Sequence, residues 1–382
     1  MHVLWTPSWY PTPEFPFNGT FFKDQVAILR GAGHEVGVCA LSAKSFWQWR
    51  PSKTVVNGAD RLVANSFPMI PKGIIRGDRA IIEAYARHFG QTYVKRWGTP
   101  DIIHAHSVFP GILVARHLAS VWNIPYGLTE HRPSTLEASE TTARFAQIYQ
   151  AVRSADFRLS VSQEFSKELR RKYDVDFGVV SLPVPDAFFE MPLVSNESEI
   201  VRFVHISHLD DNKRVEQTIE AFGKTHAEFP NTSLDIIGGT PDRIMELAEF
   251  ARGRRLIDAV HFLGQVDRET LPTVLAGYDT LVLASSKEAG GTVFAESQSL
   301  GIPIIATATF GGLHMTRPNT GIVVPVDDFD ALAEAMKMVA SNPGIWEPTV
   351  IREIARDRFS SATFVKKHED IYRSAIARFS DE

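Results

Sequence analysis

Short apolar runs bounded by turn formers alternate with helical periodicity along the whole chain, and this alternation constrains the fold more than any other feature. Buried strands joined by crossover helices make parallel units, so the series predicts an α/β protein. In the first half, strands are expected at Val3–Trp5, Val36–Leu41, Ile102–His106, Tyr126–Thr129 and Phe157–Val161. Between the first two, Phe22, Val26 and Leu29 recur at helical spacing, and Gly31 with Gly33 marks the helix end. In the second half they are expected at Phe203–Ser207, Leu234–Ile237, His261–Leu263, Thr280–Ala284, Ile304–Thr307 and Ile322–Val324. Val215, Ile219 and Phe222 form a helical stripe after the first of these. Two such series in 382 residues predict two doubly wound domains rather than one long sheet. The stretch from Ser181 to Glu197, with Pro183, Pro185 and Pro192, reads as an interdomain linker. It puts the boundary near residue 190 and the domains at 1–190 and 191–363.

Composition narrows the function. A formal net charge of −5 and the absence of any run of five like charges argue against a nucleic-acid partner. Cys39 is the single cysteine and lies in an apolar run, which excludes a disulfide framework and predicts a small buried hydrophobe in a reducing compartment. The first residues lack a basic region followed by a long apolar stretch, and no window reaches the ~18 apolar residues of a membrane span. A cytoplasmic location is expected, with peripheral contact at the inner membrane face as the alternative.

The segment from Asp279 to Pro303 carries the most chemistry. A buried strand ends in a polar loop with Gly290 and Gly291, a helix follows from Thr292, and Gly301 with Pro303 stops it. Free backbone N–H groups and the helix dipole there would face the carboxyl edge of a sheet, where a phosphate or sugar hydroxyl is stabilised. Glu288 on the loop and Glu296 one turn inside the helix could reach different parts of one extended ligand. The strand Tyr126–Thr129 delivers Glu130 and His131 at its carboxyl end. His104 and His106 share one face of their strand but lack further ligands at metal spacing, so they read as cleft-lining or structural. The segment Phe46-Trp47-Gln48-Trp49-Arg50 and the basic residues Arg76, Arg79, Arg87, Lys95 and Arg96 read as a local core and a solvated face. A lipid-linked or polysaccharide acceptor is the sharper alternative for them. No strand is followed by a Gly-x-Gly-x-x-Gly turn with an acidic residue at the next strand end, which argues against a nicotinamide dehydrogenase.

Glu288 and Glu296 are separated by seven residues, and in this the segment resembles the retaining glycosyltransferases of family GT4. The resemblance extends through Phe17-Asn18-Gly19-Thr20-Phe21-Phe22, Gly33-His34-Glu35-Val36 and Ser207-His208-Leu209-Asp210-Asp211-Asn212-Lys213. It continues through Gly238-Gly239, Phe262-Leu263-Gly264-Gln265-Val266, Gly311-Gly312 and Gly321-Ile322-Val323-Val324-Pro325 in the family's order. It implies a GT-B fold: an acceptor-side Rossmann-like domain facing a nucleotide-sugar-binding one across a cleft, with a helix at about 364–382 packing back on the first.

By residue, the resemblance implies that Glu296 binds the nucleotide ribose and Glu288 the donor sugar hydroxyls. Lys213 would neutralise the diphosphate with amides near Gly19 and Gly291–Thr292, while Gly239, Gln265 and Val266 would lie along the nucleotide. His131 falls at the family's active-site histidine. Where the family carries a phosphate-binding arginine this chain has His208, a shorter donor. His314 and Met315 stand near where a glutamate often follows the second Gly-Gly pair, and the linker lacks the common Asn-Gly. The implied activity is retaining transfer of a sugar from a nucleotide donor, UDP favoured over GDP or ADP, to a polysaccharide, glycolipid or lipid-linked acceptor, without a metal or other cofactor. A nucleotide-sugar epimerase of the same fold and a non-catalytic sugar-binding protein are the alternatives.

Overall fold

A computed structural model describes residues 1–11, 19–69, 77–193 and 199–381. The chain forms two compact units, Met1–Val180 together with Phe364–Glu382, and Ser181–Thr363. The division falls between Val180 and Ser181 rather than near residue 190. The described part of the proline-bearing stretch expected as a linker packs instead: Val184, Phe188 and Phe189 are buried in a core of the second unit, and residues 194–197 lie outside the described residues.

The first unit has an eight-stranded sheet in the order β3-β4-β2-β1-β5-β6-β7-β8. The strands are β1 (His2–Pro7), β2 (Glu35–Ser45), β3 (Val55–Asn57), β4 (Leu62–Met69), β5 (Ile102–His106), β6 (Tyr126–Glu130), β7 (Phe157–Ser160) and β8 (Gly178–Val179). All pairings are parallel except β3 with β4. Every position of β5 and β6 is buried, as expected where helices cover both faces of a parallel sheet. The helix Thr20–Gly31 buries Phe22, Val26 and Leu29, and the helix Ser361–Asp381 buries Phe364, His368, Tyr372 and Ala375. Phe364, Tyr372 and Ala375 share one core with Val3, Trp5, Val36 and Ile102. β3, β4 and β8 were not anticipated: β3 and β8 are too short to show a period, and Pro68 interrupts the run in β4.

The second unit has a six-stranded parallel sheet in the order β11-β10-β9-β12-β13-β14. Its strands are β9 (Val201–Ile206), β10 (Thr232–Ile237), β11 (Val260–Gly264), β12 (Thr280–Leu283), β13 (Ile304–Thr307) and β14 (Gly321–Val324). Val215, Ile219 and Phe222 of the helix Val215–Glu228 lie in one core, and Phe294 and Ala295 of the helix Thr292–Ser299 in another. In this unit the chain turns back between β9 and β12; in the first, between β1 and β5. Such reversals open a crevice at the carboxyl ends of the two strands, the usual ligand position in open α/β sheets.

Candidate active site

In the second unit the loops following β9 and β12 meet at that crevice. Lys213 ends a short turn, Asp211–Lys213, and its Nζ donates to Glu288 Oε2 at 2.7 Å. Both side chains are largely covered, at 16% and 18% exposure, so each charge depends on the other in place of water. Asn212 fastens the two loops. Its Nδ2 donates to Lys287 O at 3.0 Å, and its Oδ1 accepts from Lys287 N and Ser286 Oγ at 2.9 Å each. The backbone joins them once more, Ser286 N donating to Asn212 O at 2.8 Å.

The helix Thr292–Ser299 starts at Gly291, whose φ of 66° is left-handed and where a side chain would collide with the Phe294 ring. Among the described residues no side chain caps this end, the part of a helix whose unpaired amides favour an anion. Glu296 lies on this helix, 2% exposed, with Arg268 Nη1 2.5 Å from its Oε1. Gly311 N donates to the Glu288 carbonyl at 2.7 Å, fixing the backbone that carries that carboxylate. Gln265 donates from Nε2 to Gly239 O at 3.2 Å, and Val266 packs partly buried against the second core. His208 is exposed on the loop after β9. Beside it, His205 is fully buried, and burial, reinforced by the Lys213 charge, pushes its ring down to about 3.

The first unit holds a different assembly. His131 follows β6, and its Nε2 shares a hydrogen bond with His106 Nδ1 at 3.0 Å. The rings of Phe21 and Phe22 flank it at 5.5 and 5.3 Å. Burial, assisted by the Arg132 guanidinium, holds His131 at about 3 and keeps it neutral near pH 7. His106 is also held well below its ordinary value, so both rings are neutral and one donates its N–H to the other. His104 bonds Tyr372 OH at 2.7 Å and Thr129 Oγ1 at 2.8 Å. Both β5 histidines are buried, which replaces the cleft-lining reading with a structural one. Among the described residues no cluster of His, Cys, Asp or Glu suits a metal ion. Gly19 takes a φ of 82° at the start of its helix, beside Trp9; Phe17 and Asn18 lie outside the described residues.

His131, Gly19 and Cys39 therefore belong to the first unit, and the remaining site candidates to the second. Asn212 and Arg268 escaped the sequence reading. Asn212 stood inside a recognised motif, whereas Arg268 gave no local signal because its partner is remote in sequence. His314 shares a hydrogen bond with Ser181 Oγ at 2.9 Å. Phe46 and Trp47 are 59% and 76% exposed, not the local core expected of them, and Arg76 lies outside the described residues. No helix among the described residues is long and apolar enough to cross a membrane.

Two family models cover most of the chain. "Glycosyl transferase 4-like domain" matches residues 19–183, and "Glycosyl transferases group 1" matches residues 192–358. The chain is 28% identical over 185 residues to the N-acetyl-alpha-D-glucosaminyl L-malate synthase of Bacillus anthracis, covering 47% of each protein. It is 25% identical over 269 residues to the glycogen synthase of Mycobacterium tuberculosis, covering 65% of this chain and 64% of that one. The chain thus spans about half to two thirds of the length of these relatives. A crystal structure of Anabaena HepE in complex with UDP superimposes with a TM-score of 0.74 at 16% identity, covering 98% of this chain and 100% of that one. With matching domain models over both halves and an α/β sheet in each unit, the chain belongs to the GT4-type glycosyltransferases of the GT-B fold.

Proposed function

We propose that the protein is a retaining glycosyltransferase whose second unit binds a UDP-sugar and which passes the sugar to a carbohydrate acceptor. The observation that carries this reading is the pairing of Lys213 with Glu288 at 2.7 Å, next to the uncapped start of the helix that bears Glu296. A diphosphate arriving at the helix amides competes with Glu288 for Lys213. The released carboxylate is then free to accept from sugar hydroxyls, while Glu296 accepts from the ribose diol. Solved HepE structures carry UDP and UDP-glucose, which favours uridine over the other bases.

The leaving diphosphate is stabilised by Lys213 and the helix amides in place of a metal ion. No enzyme nucleophile is needed: a donor phosphate oxygen takes the acceptor hydroxyl proton as the glycosidic bond breaks and the new one forms on the same face. His131 supplies a neutral hydrogen-bonding ring to the reacting sugar. The exposed Phe46 and Trp47, with Arg50 and Lys53 close by in sequence, favour an acceptor presented at a lipid surface, and with it a peripheral location on the cytoplasmic face.

A thermal-shift series with UDP, GDP and ADP and their glucose conjugates tests the reading, because a ligand selective for the folded state raises the melting temperature. UDP and UDP-glucose are expected to raise it most. No shift with any nucleotide would end the reading. Conversion of UDP-glucose to an isomeric nucleotide sugar without an acceptor would replace it with the epimerase.

A further inference from the structure

The loop that carries His131 is held by a carboxylate with no place in the chemistry above. Glu130, the last residue of β6, has a fully buried side chain. Its Oε2 accepts from Val108 N at 2.7 Å, and its Oε1 accepts from His131 N at 2.9 Å and Arg132 N at 2.8 Å. Removing a carboxylate from water is costly, and three backbone donors on one side chain offset that cost. Amides at successive residues make a small anion-binding concavity, and here the anion is the protein's own.

The three bonds tie together the segments following β5 and β6. Arg132 adds to the tie, donating from Nη2 to Phe109 O at 2.8 Å with its guanidinium 4.6 Å from the Trp9 ring. The His131 ring itself is fixed by His106 and by Phe21 and Phe22. Its backbone amide is fixed by Glu130.

We infer that Glu130 is a positioning residue of the transfer reaction, acting through His131 by clamping its backbone to the segment that starts at Val108. The inference rests on the assignment of His131 to the reacting sugar. A glutamine at 130 keeps the size of the side chain but replaces one accepting oxygen with an NH₂ group, which faces an amide donor and repels it. The His131 backbone then shifts without any change to the residues that hold the nucleotide.

The experiment uses the full chain with UDP-glucose as donor and follows UDP release. Glu130→Gln is expected to lower the turnover rate about 10–100-fold, the range for a misplacement of up to an ångström, with UDP affinity within about twofold of wild type. In a His131→Ala background the same change should cost less than about twofold, since a residue acting through His131 has nothing further to lose. Full multiplication of the two losses would overturn the inference, as would a wild-type rate for Glu130→Gln. Glu130→Asp, which keeps the charge, should recover part of the rate if the variant with glutamine folds poorly. If the wild-type protein neither binds UDP nor releases it from UDP-glucose, the functional reading fails instead. The clamp is then read from the ¹⁵N resonances of the His131 ring and amide, which must move in Glu130→Gln; unmoved resonances would dismiss it.

Discussion

The two units build their sites from opposite materials. In the second, Lys213 faces Glu288 and Arg268 faces Glu296, so the crevice is lined with charges that neutralise one another. In the first, His104, His106, His131 and His368 are packed among rings and kept neutral by burial. Even the fastening of the loops is inverted. A neutral amide, Asn212, joins the charged loops, whereas a buried carboxylate, Glu130, joins the loops around neutral rings. Under the proposed function the difference separates two tasks: ionic groups recognise a diphosphate over distance, while uncharged, tightly held rings act only on an atom placed against them.

The largest effect that would break this division is expected at His131. His131→Ala should lower kcat with UDP-glucose by about 100–1000-fold, as for loss of one preorganised hydrogen bond at a reacting centre, with UDP affinity within about threefold of wild type. A single-turnover rate equal to wild type would return His131 to a structural role. Next in size, Glu296→Ala removes charge-assisted hydrogen bonds worth ~1.5–3 kcal/mol and should weaken UDP by roughly 10–150-fold by calorimetry. Glu288→Ala should weaken UDP-glucose more than UDP, and equal losses for the two ligands would remove the sugar contact.

The last expected effect falls on stability rather than on activity, and it concerns pH. Four clustered histidines of the first unit, His104, His106, His131 and His368, have folded values below the ordinary 6.5, with His131 at about 3 and His368 at about 4. The unfolded chain therefore binds more protons than the folded one below about 6.5, so their stabilising contribution is complete above that pH and falls as pH drops towards 4. At the limit of four protons the slope is roughly 5 kcal/mol per pH unit, against about one proton's worth from His205 in the second unit. Trp346 is the only one of the seven tryptophans outside the first unit, so fluorescence reports that unit almost alone. On acidification the fluorescence transition should precede the loss of far-ultraviolet dichroism. Coincident transitions would show that the histidine cluster does not set the first unit's acid limit.

What the sequence revealed divides along the distance between partners. The order of β9 to β14, the loop of Glu288 and the helix of Glu296 are local consequences of apolar runs, glycines and a proline, and all could be read before the structure. The Lys213–Glu288 pair joins residues 75 apart and was approached only through a family resemblance. The contacts of Glu130 could not be read at all: one partner, Val108, lies 22 positions away, and every bond it makes is to a backbone amide, which any residue type presents. The same holds for His106, whose partner His131 is 25 positions distant. Strand β4 was hidden by Pro68, tolerated because it falls near the strand's end.

The helix Ser361–Asp381 has a consequence for how the protein is made. Phe364, Tyr372 and Ala375 complete a core begun by Val3 and Trp5, and Tyr372 gives His104 one of its two hydrogen bonds. Every residue of the second unit leaves the ribosome before them. The unit translated first is thus the one finished last: its nascent sheet must wait, with an open apolar face, through the synthesis of an entire second domain. In that interval its apolar face is open to aggregation, while the later-made unit already holds every residue of its own sheet.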